Sequence, residues 1–484
     1  MGVRYNYIPA FYNALGNTST FLPSVFDPKK APAISPADGS LLSVGDPYNG
    51  LALFGSAFPE KAIGRIPAAS DPALKRLFAG LSRGAYDNNF REIGPRVGIA
   101  YDPWGNGRTA VRGGFGIFYD RIPTNVLINP SGNPPFNITS SIFDGNIDNP
   151  TGGTARSFPS NISMLPRQLA TPSVISYNLG VLQQLPFHAI LDVGYVGNQA
   201  RHLAHTININ QLPVGTRLNA PNSGINVNAL RPYPGYAAIN QRDQGDNSNY
   251  NSLQISVSRR MAAGFSMTAN YTFAKALDTS SGTRQDAYNA VPDYGLSSVH
   301  RAHLANINYI YDVPFFANTR NPLIRHALGG WELAGVTTFQ SGDPNTVTAE
   351  VDAARIGTAS TRAEVISNPN LPSGSRTLAR WFNTEAFLAP ERMVPGRFGN
   401  GGRNILIGPG FSQWDVSAIK NFALTERIRL QFRAESFNVL NHPSFTGIDT
   451  TVRFDSAGRP AQTYGAVTGA GPARVLEFGL KLYF

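Results

Sequence analysis

Cysteine is absent from the 484-residue chain, which excludes disulfide bonds and thiolate metal sites. Charged residues are scarce at 15%, and no apolar run reaches the roughly eighteen residues of a transmembrane helix. The net charge is +10, but Lys and Arg are dispersed rather than grouped in a long block. Because nucleic-acid binding calls for clustered cations among stacking aromatics, the sequence argues against that class of partner.

Glycine, proline and aromatic residues are plentiful, with 48 Gly, 36 Pro, 29 Phe and 19 Tyr. This mixture, together with few charges, favours β structure with long irregular connections over helices. A strand that faces lipid on one side shows an apolar residue only at every second position, so hydropathy averages do not reveal it.

The C-terminal segment carries the clearest pattern in the chain. Its apolar positions alternate with a second set, and the apolar set comprises Leu476, Phe478, Leu480, Leu482 and Phe484. The intervening set comprises Glu477, Gly479, Lys481 and Tyr483. Alternation over about ten residues is typical of a strand between lipid and an aqueous lumen. A buried terminal strand of a soluble β protein is the alternative.

The first residues, 1–8, contain neither an apolar signal core nor a small-residue cleavage site. Val3, Tyr5 and Tyr7 alternate with more polar neighbours, which predicts a strand from the start. We therefore expect residues 1–484 to be the C-terminal portion of a longer polypeptide.

Period-two alternation bounded by Gly, Pro and Asn predicts strands throughout the chain. The predicted strands are 2–11, 95–102, 109–120, 174–184, 188–197, 250–260, 264–275, 302–313, 328–341, 411–420, 426–438 and 473–484. The connections between them alternate in length. Short ones lie near 102–107, 184–187, 260–264, 314–327 and 421–425, and long ones near 12–94, 121–173, 198–249, 276–301, 342–410 and 439–472.

Antiparallel strands place every short connection at the end where Phe484 lies and every long one at the opposite end. Outer-membrane barrels have short periplasmic turns and long extracellular loops. The predicted fold is therefore all-β, a transmembrane antiparallel β-barrel portion of about twelve strands in the outer membrane of a Gram-negative bacterium.

Three segments resemble the Oar-like TonB-dependent transporters, which are numerous in acidobacteria. They are GPRVGIAYDPWGNGRTAVRGGFGIFYD at 94–120, DYG at 293–295 with YDVPF at 311–315, and FRAESFNVLNHP at 432–443. The resemblance implies a barrel filled by a plug domain, a TonB contact in an N-terminal region, and a preceding carboxypeptidase-regulatory-like domain. The signal peptide, that domain, the plug and the first strands are expected to lie outside this chain, because plugged transporters have barrels of about 22 strands.

The resemblance also implies partners and a function. Gly479, Leu482 and Phe484 resemble the signal that delivers such barrels to the barrel assembly machinery. The full-length parent would capture a nutrient, unknown in identity, with its extracellular loops, and would import it through the TonB complex. Outward Lys and Arg near the rim would contact lipid and lipopolysaccharide. A passive channel or porin and an envelope surface or adhesion protein remain alternatives, and loops 198–249 and 342–410 are where ligand contacts are expected.

Motifs for enzyme chemistry are weak. Gly80-Leu81-Ser82-Arg83-Gly84 fits a nucleophile elbow only in letters, because no strand-to-helix context surrounds it. His202 with His205, and His300 with His303, are spaced so that a strand would point the two rings of each pair to opposite sides. Asp243, Asp246 and Asn247 lack regular calcium-loop spacing. The sequence therefore predicts no active site, metal site or cofactor.

One strand carries a candidate lumen feature. Arg427, Arg429 and Arg433 are expected to share the polar side of the strand at 426–438, where Arg429 could pair with Glu435. Charges in a barrel lumen tune solute selectivity.

Overall fold

The computed structural model describes residues 1–316 and 318–484, and within them twelve strands follow one another in a single antiparallel sheet. We number these strands β1 (Gly2–Tyr5), β2 (Ile93–Tyr101), β3 (Thr109–Tyr119), β4 (Ser173–Leu185), β5 (Ala189–Asn208), β6 (Tyr236–Ala262), β7 (Phe265–Asp278), β8 (His303–Asp312), β9 (Trp331–Gln340), β10 (Phe411–Ala423), β11 (Arg429–Phe437) and β12 (Val475–Tyr483). Each pairs with its neighbour in chain order. The all-β prediction and the twelve predicted strands are confirmed.

Three strands differ in length from the prediction by more than four residues. β1 ends at Tyr5 rather than at residue 11, and Pro9, which has no N–H to donate, lies in the part that leaves the sheet. β5 and β6 are longer than predicted and take up about half of 198–249, all of which was expected to be a loop. That expectation was wrong because Asn, Asp and Gly in this stretch suggested a loop, whereas cross-strand pairing holds it extended.

The β5–β6 hairpin rises above the rest of the sheet. β4 pairs with β5 only as far as Arg201, and β7 pairs with β6 only from Ser248 onward. β5 and β6 nevertheless continue to pair with each other up to Asn208 opposite Asn240. The register shifts between Ala200 and His205, and such irregularities bend a strand and re-aim its side chains. The hairpin therefore forms a wall above the end of the sheet.

The connections sort by length as predicted. The turns that follow β2, β4, β6 and β10 are short and lie at one end of the sheet, at residues 102–108, 186–188, 263–264 and 424–428. The 313–330 connection at that end contains a helix, Pro322–Leu328, and also residue 317, which lies outside the described residues. The long connections at the other end span 6–92, 120–172, 209–235, 279–302, 341–410 and 438–474.

The turn between β2 and β3 shows how a short connection is built. The Asp102 carboxylate accepts hydrogen bonds from the backbone N–H groups of Trp104, Gly105 and Gly107 at 3.2, 3.0 and 2.7 Å. Gly105 and Gly107 have φ of +63° and +70°, a region that glycine adopts without strain. This local chemistry reverses the chain within seven residues, 102–108.

The last two strands show the two faces of the sheet. Leu482 pairs with Leu430, Leu480 with Phe432, and Phe478 with Ala434. The rings of Phe432 and Phe478 stack with their centroids 6.4 Å apart. Phe478 and Leu480 are 72% and 69% exposed, which is the condition of side chains that would meet lipid.

The opposite face of β11 and β12 is polar and hydrogen-bonded. The Gln431 amide donates to Asn421 Oδ1 at 2.9 Å, and its carbonyl oxygen accepts from Arg433 Nε at 2.7 Å. The prediction that Arg429 pairs with Glu435 was wrong. The two residues are six positions apart on an extended strand, which places them about 20 Å from each other. Glu435 instead lies 3.9 Å from Arg433, and Arg429 lies over the ring of Tyr483 at 4.6 Å. Arg427 lies in the 424–428 turn, not in the strand.

The long connections fold into short strands and helical turns, and two of these strands, Ser160–Met164 and Gly295–Leu296, pair with β6 and β7 of the main sheet. Their strands are Ser19–Phe21, Leu51–Phe54, Phe78–Leu81, Ser141–Phe143, Thr154–Arg156, Ser160–Met164, Gly295–Leu296, Pro344–Asn345, Thr348–Ala349, Thr361–Arg362, Leu406–Ile407, Phe445–Ile448, Thr451–Val452 and Val467–Ala470. The α-helices outside 313–330 are Asn125–Ile128, Ala220–Ser223 and Val227–Leu230. The 3-10 helices are Pro23–Val25, Pro28–Lys30, Glu60–Ala62, Pro67–Ser70, Pro72–Leu77, Asn129–Gly132, Thr216–Leu218, Val291–Asp293, Ser373–Ser375, Thr384–Ala386 and Pro390–Arg392.

The apolar cores lie in these connections rather than within the sheet. The largest is built from loops 341–410 and 438–474, where Phe382 contacts Phe387 and Tyr464 with ring centroids 5.8 and 5.5 Å apart. Burial in this core raises the pKa of the Tyr464 hydroxyl. No helix in 1–316 or 318–484 is long and apolar enough to cross a membrane. The long connections are thus folded bodies with their own packing.

We predict that the two ends of the sheet face opposite sides of the outer membrane. Because the chain has no native cysteine, Asn370→Cys in loop 341–410 and Glu426→Cys in the 424–428 turn each introduce a single thiol at an exposed position. A membrane-impermeant maleimide should label Asn370→Cys on intact cells and Glu426→Cys only after the outer membrane is permeabilised. Equal labelling of both in intact cells would contradict the topology.

We also predict that the two faces of β12 respond oppositely to a new charge. Leu480→Arg places a cation on the apolar face and should destabilise insertion into lipid by about 2–4 kcal/mol. Glu477→Arg places the same group on the polar face of the same strand and should have a much smaller effect. Urea titration of folding into liposomes measures both free energies, and equal losses would rule out the assignment of faces.

Candidate ligand-binding cavity

A cavity of about 700 Å³ lies where the β5–β6 hairpin meets the connections 279–302 and 341–410. The upper end of the hairpin contributes residues 206–208, 211 and 240, and the 279–302 connection contributes 281–285, 287 and 298. Loop 341–410 contributes positions between 346 and 404. A cavity of this volume is within the usual range for small-ligand sites. It lies at the long-connection end of the sheet.

The wall of the cavity contains many polar side chains. Three arginines line it, Arg284, Arg362 and Arg403. Hydroxyl groups line it as well, among them Thr206, Ser281, Thr283, Thr346, Thr358 and Ser360. Amide side chains complete the polar lining, namely Asn208, Gln211, Asn240, Gln285 and Asn404. Apolar side chains, among them Ile207, Ile356 and Phe398, share the wall, and apolar surface is as extensive as polar surface there.

Arg284 is held by buried carboxylates of the hairpin. Its guanidinium donates to Asp246 Oδ1 at 2.7 Å and lies 3.9 Å from carboxylate oxygens of Asp243 and Asp293. Asp246, which is 1% exposed, also lies 3.0 Å from Nδ1 of His205. A buried charge is tolerated only when it is paired and hydrogen-bonded, so this network fixes Arg284 in the cavity wall.

Arg362 and Arg403 fasten loop 341–410 to the neighbouring elements. Arg362 pairs with Asp293 and donates to the Pro292 carbonyl. Arg403 donates to Asp278 Oδ1 at 2.6 Å and to the Ser281 carbonyl, which links the loop to the end of β7. Both arginines are 6% exposed. The loop is thus tied down by two buried ion pairs rather than by apolar packing alone.

Charge is distributed asymmetrically around the cavity. The residues described as its lining include three arginines and no carboxylate. The balancing Asp246, Asp278 and Asp293 are at most 5% exposed and lie behind that lining. Burial, followed by the positive charge of Arg403, lowers the pKa of Arg362 to about 10, which still leaves it charged at neutral pH. Asp243, whose carboxylate lies 3.9 Å from Arg284, adds a fourth carboxylate, so the three guanidinium groups are fully balanced by neighbouring anions.

Both loops in which ligand contacts were expected contribute to this cavity. The upper hairpin belongs to 198–249, and residues 346–404 belong to 342–410. Sequence reasoning did not single out the third contributor, 276–301, or any of the three arginines. No local signal could have identified them, because Arg284 and Arg403 reach carboxylates 38 and 125 residues away. Ligand binding by loops 198–249 and 342–410 remains a prediction.

The two histidine pairs do not come together as metal sites. Nδ1 of His205 pairs with Asp246, whereas His202 is exposed and has φ of +57°. His300 is buried, and burial followed by the neighbouring cations lowers its pKa. Nδ1 of His303 lies 2.8 Å from the Tyr271 hydroxyl. Among the described residues, no group of three or more His, Asp or Glu could hold a metal ion.

Two further sequence motifs are ordinary parts of the structure. Asp243, Asp246 and Asn247 lie in β6, not in the expected loop, and two of them face Arg284. Ser82 of the Gly80–Gly84 segment follows the short strand Phe78–Leu81 and donates from its hydroxyl to the Gly84 carbonyl at 3.2 Å. Bends rather than a helix follow Ser82, so the elbow geometry is absent there.

The residues of the predicted assembly signal lie on or beside β12. Leu482 and Phe484 are 55% and 97% exposed. No atom lies within 4 Å of a Cβ built on Gly479, so steric crowding is not what requires glycine at this position. Their recognition by the assembly machinery remains a prediction.

The twelve-strand sheet, its alternating faces and its sorted connections define an outer-membrane β-barrel protein. The chain belongs to the outer membrane beta barrel domain family, whose model matches residues 1–477. The protein is accordingly located in the bacterial outer membrane, as predicted. No curated protein matches the chain.

Solved structures that match the chain include the outer membrane transporter YddB from Escherichia coli, with 10% identity over 82% of this chain and a TM-score of 0.45. The siderophore receptor PirA from Acinetobacter baumannii has 12% identity over 82% and a TM-score of 0.40. The copper transporter OprC has 8% identity over 81% and a TM-score of 0.36. This chain spans 41%, 41% and 39% of those three chains.

We predict that the buried pair behind the cavity holds loop 341–410 in place. Asp293→Asn keeps the shape of the side chain but leaves Arg362 buried without its anionic partner, which should destabilise the loop by about 3–5 kcal/mol. Limited proteolysis should then cleave within 341–410 faster while the sheet stays protected. Asp87→Asn, which breaks the exposed pair with Arg167, is the control and should change stability by less than about 1 kcal/mol. Equal protease resistance of Asp293→Asn and the native protein would contradict the role of the pair.

Proposed function

We propose that the protein is part of an outer-membrane transporter or receptor that captures a small ligand in the cavity between its long connections. The observation that carries this proposal is the cavity of about 700 Å³, built from three connections at the long-loop end of the sheet. The charged side chains described in its lining are arginines held by ion pairs, which are not catalytic groups. We expect such a site to bind and orient a ligand rather than to catalyse a reaction on it.

We further propose that additional strands complete the sheet into a closed barrel. Among the described residues, β1 and β12 each pair with only one strand of the sheet. Unpaired backbone N–H and C=O groups in hydrocarbon cost several kcal/mol each, so edges of this kind require partners in a membrane. Further strands of a longer polypeptide, which would also carry a plug, supply those partners.

Energy coupling through TonB, as the resemblance to Oar-like transporters implies, is the proposed driving force for import. The barrel assembly machinery is the proposed route into the membrane, with the β12 residues as its signal. Arg and Lys near the rim are proposed to contact lipopolysaccharide. Each of these partners is a proposal that follows from the class of protein.

Uptake by living cells separates the proposed function from its alternatives. Cells with and without the gene are grown in a mixed-nutrient medium, and the compounds that disappear from the medium are compared. An energy-coupled transporter predicts that a compound is depleted only by cells with the gene, and that a protonophore stops its depletion. Depletion that persists with the protonophore would indicate a passive channel. Identical depletion by both strains would indicate an adhesion or surface protein.

A further inference from the structure

The 313–330 connection differs from the other connections at its end of the sheet. Those reverse the chain within seven residues or fewer, whereas this one is long enough to hold the helix Pro322–Leu328. The Asn321 side chain accepts hydrogen bonds from the N–H groups of Leu323 and Ile324 at 3.0 and 3.4 Å, which fixes the start of the helix. Because a helix of two turns is not stable by itself in water, contacts outside the helix must hold it.

The C-terminal end of this helix lies against the apolar face of the sheet. Lys420 Nζ donates to the carbonyl oxygens of Ala327, at 3.3 Å, and of Gly329. Trp331 Nε1 donates to the Ala327 carbonyl at 3.2 Å. Lys420 and Trp331 are opposite each other on β10 and β9, and the Trp331 ring lies 6.1 Å from the ring of Phe432 on the apolar face of β11. The helix is therefore outside the sheet, on the side that meets lipid.

These contacts fix the position of the helix. Lys420 is 3% exposed, so its ammonium group needs the two helix carbonyls as acceptors. A cation at the C-terminal end of a helix also offsets the partial negative charge of the last carbonyls. Moving the helix away would leave Lys420 without these acceptors on a face that meets hydrocarbon, which is unfavourable.

The helix is amphipathic, and its apolar side is exposed. The helical period places four apolar side chains on one side and two basic ones on the other, namely Leu323, Ile324, Ala327 and Leu328 against Arg325 and His326. Every residue of the helix is exposed, and Leu323 is 79% exposed. An exposed apolar side beside lipid-facing strands is typical of a helix that lies in the plane of a membrane interface.

The segment is also cationic. Residues 318–330 include Arg320 and Arg325, both exposed, and no Asp or Glu. The next carboxylates along the chain, Asp312 and Glu332, are opposite each other on β8 and β9. Because Glu332 follows Trp331 directly in a strand, this pair belongs to the other face of the sheet. The charge of the segment therefore complements an anionic surface.

Additional strands of a longer polypeptide are not suited to cover this helix. β9 and β10 each pair with a strand on both sides, whereas new strands would add at the edges, β1 and β12. The helix lies at the short-turn end, which is predicted to be periplasmic, and on the outer face of the sheet. The surface next to it is accordingly the inner, phospholipid leaflet of the outer membrane.

We propose that the helix Pro322–Leu328 is an interfacial anchor that binds anionic phospholipid in the periplasmic leaflet of the outer membrane. Its apolar side enters the acyl-chain boundary, and Arg320 and Arg325 bind the phosphate groups. Lys420 and Trp331 hold the anchor at this depth from the sheet side. The proposal requires the outer-membrane location of the protein but not its function as a transporter.

Fluorescence quenching in vesicles tests whether the helix enters the bilayer. The protein is purified from outer membranes and reconstituted with an environment-sensitive fluorophore on Leu323→Cys or, on the opposite side of the helix, on His326→Cys. Quenchers attached to lipid acyl chains should reduce fluorescence at Leu323→Cys at least about twofold more than at His326→Cys. Equal quenching at the two positions would overturn the proposal. Quenching at neither would also overturn it and would leave a periplasmic protein as the partner of the apolar side.

A second comparison tests the anionic headgroups. Quenching at Leu323→Cys should be stronger in vesicles of phosphatidylcholine with phosphatidylglycerol than in phosphatidylcholine alone, and adding Arg325→Gln should remove at least about half of that gain. Arg427→Gln removes an exposed charge from the 424–428 turn at the same end of the sheet and, as the control, should leave the gain unchanged. Equal quenching in the two kinds of vesicle would overturn the role of anionic lipid. Equal effects of the two arginine variants would overturn its assignment to this helix.

Heat-modifiable mobility on gels confirms that every variant is folded before its fluorescence is compared. The anchor and the transporter function fail separately. If Leu323→Cys and His326→Cys are quenched equally but gene-dependent, protonophore-sensitive uptake persists, the anchor is wrong and the transporter function stands. If Leu323→Cys is quenched as expected but uptake does not depend on the gene, the anchor is correct and the transporter function is wrong.

Discussion

The structure depends on the need to pair every backbone N–H and C=O group that enters hydrocarbon. Water cannot satisfy these groups inside a bilayer, so spanning strands must hydrogen-bond to each other. The chain meets this constraint by pairing each strand with the next in sequence from β1 to β12. Sequential pairing requires only a short reversal at one end, and Asp102 shows how a single carboxylate organises one. The opposite end is then free to carry long connections.

Outside the bilayer, the chain folds by burying apolar side chains, as soluble proteins do. The long connections have their own apolar cores, as around Phe382 and Tyr464, and they join one another through long-range contacts. β5 and β6 serve both regions, because their lower parts belong to the sheet and their upper parts form the wall of the cavity. A rigid strand pair thereby carries side chains away from the membrane to a place where two loops meet them.

Buried ion pairs hold three guanidinium groups in the wall of the cavity. A guanidinium removed from water requires an anionic partner, and Asp246, Asp278 and Asp293 provide these from the hairpin, from β7 and from a neighbouring helical turn. The carboxylates lie behind the arginines rather than beside them in the lining. The side chains that stabilise the loops are therefore also those that shape the cavity.

The sequence by itself determined the strands, their order and their faces. Period-two alternation is a local property, and Leu480 and Lys481 on opposite sides of β12 follow directly from it. The length of β5 and β6 was missed because pairing across the hairpin overrides the polar composition of 198–249. The pairing of Arg433 rather than Arg429 with Glu435 also follows from strand geometry. The cavity was decided only by the tertiary structure, because Arg403 and Asp278 lie 125 residues apart and nothing local links them.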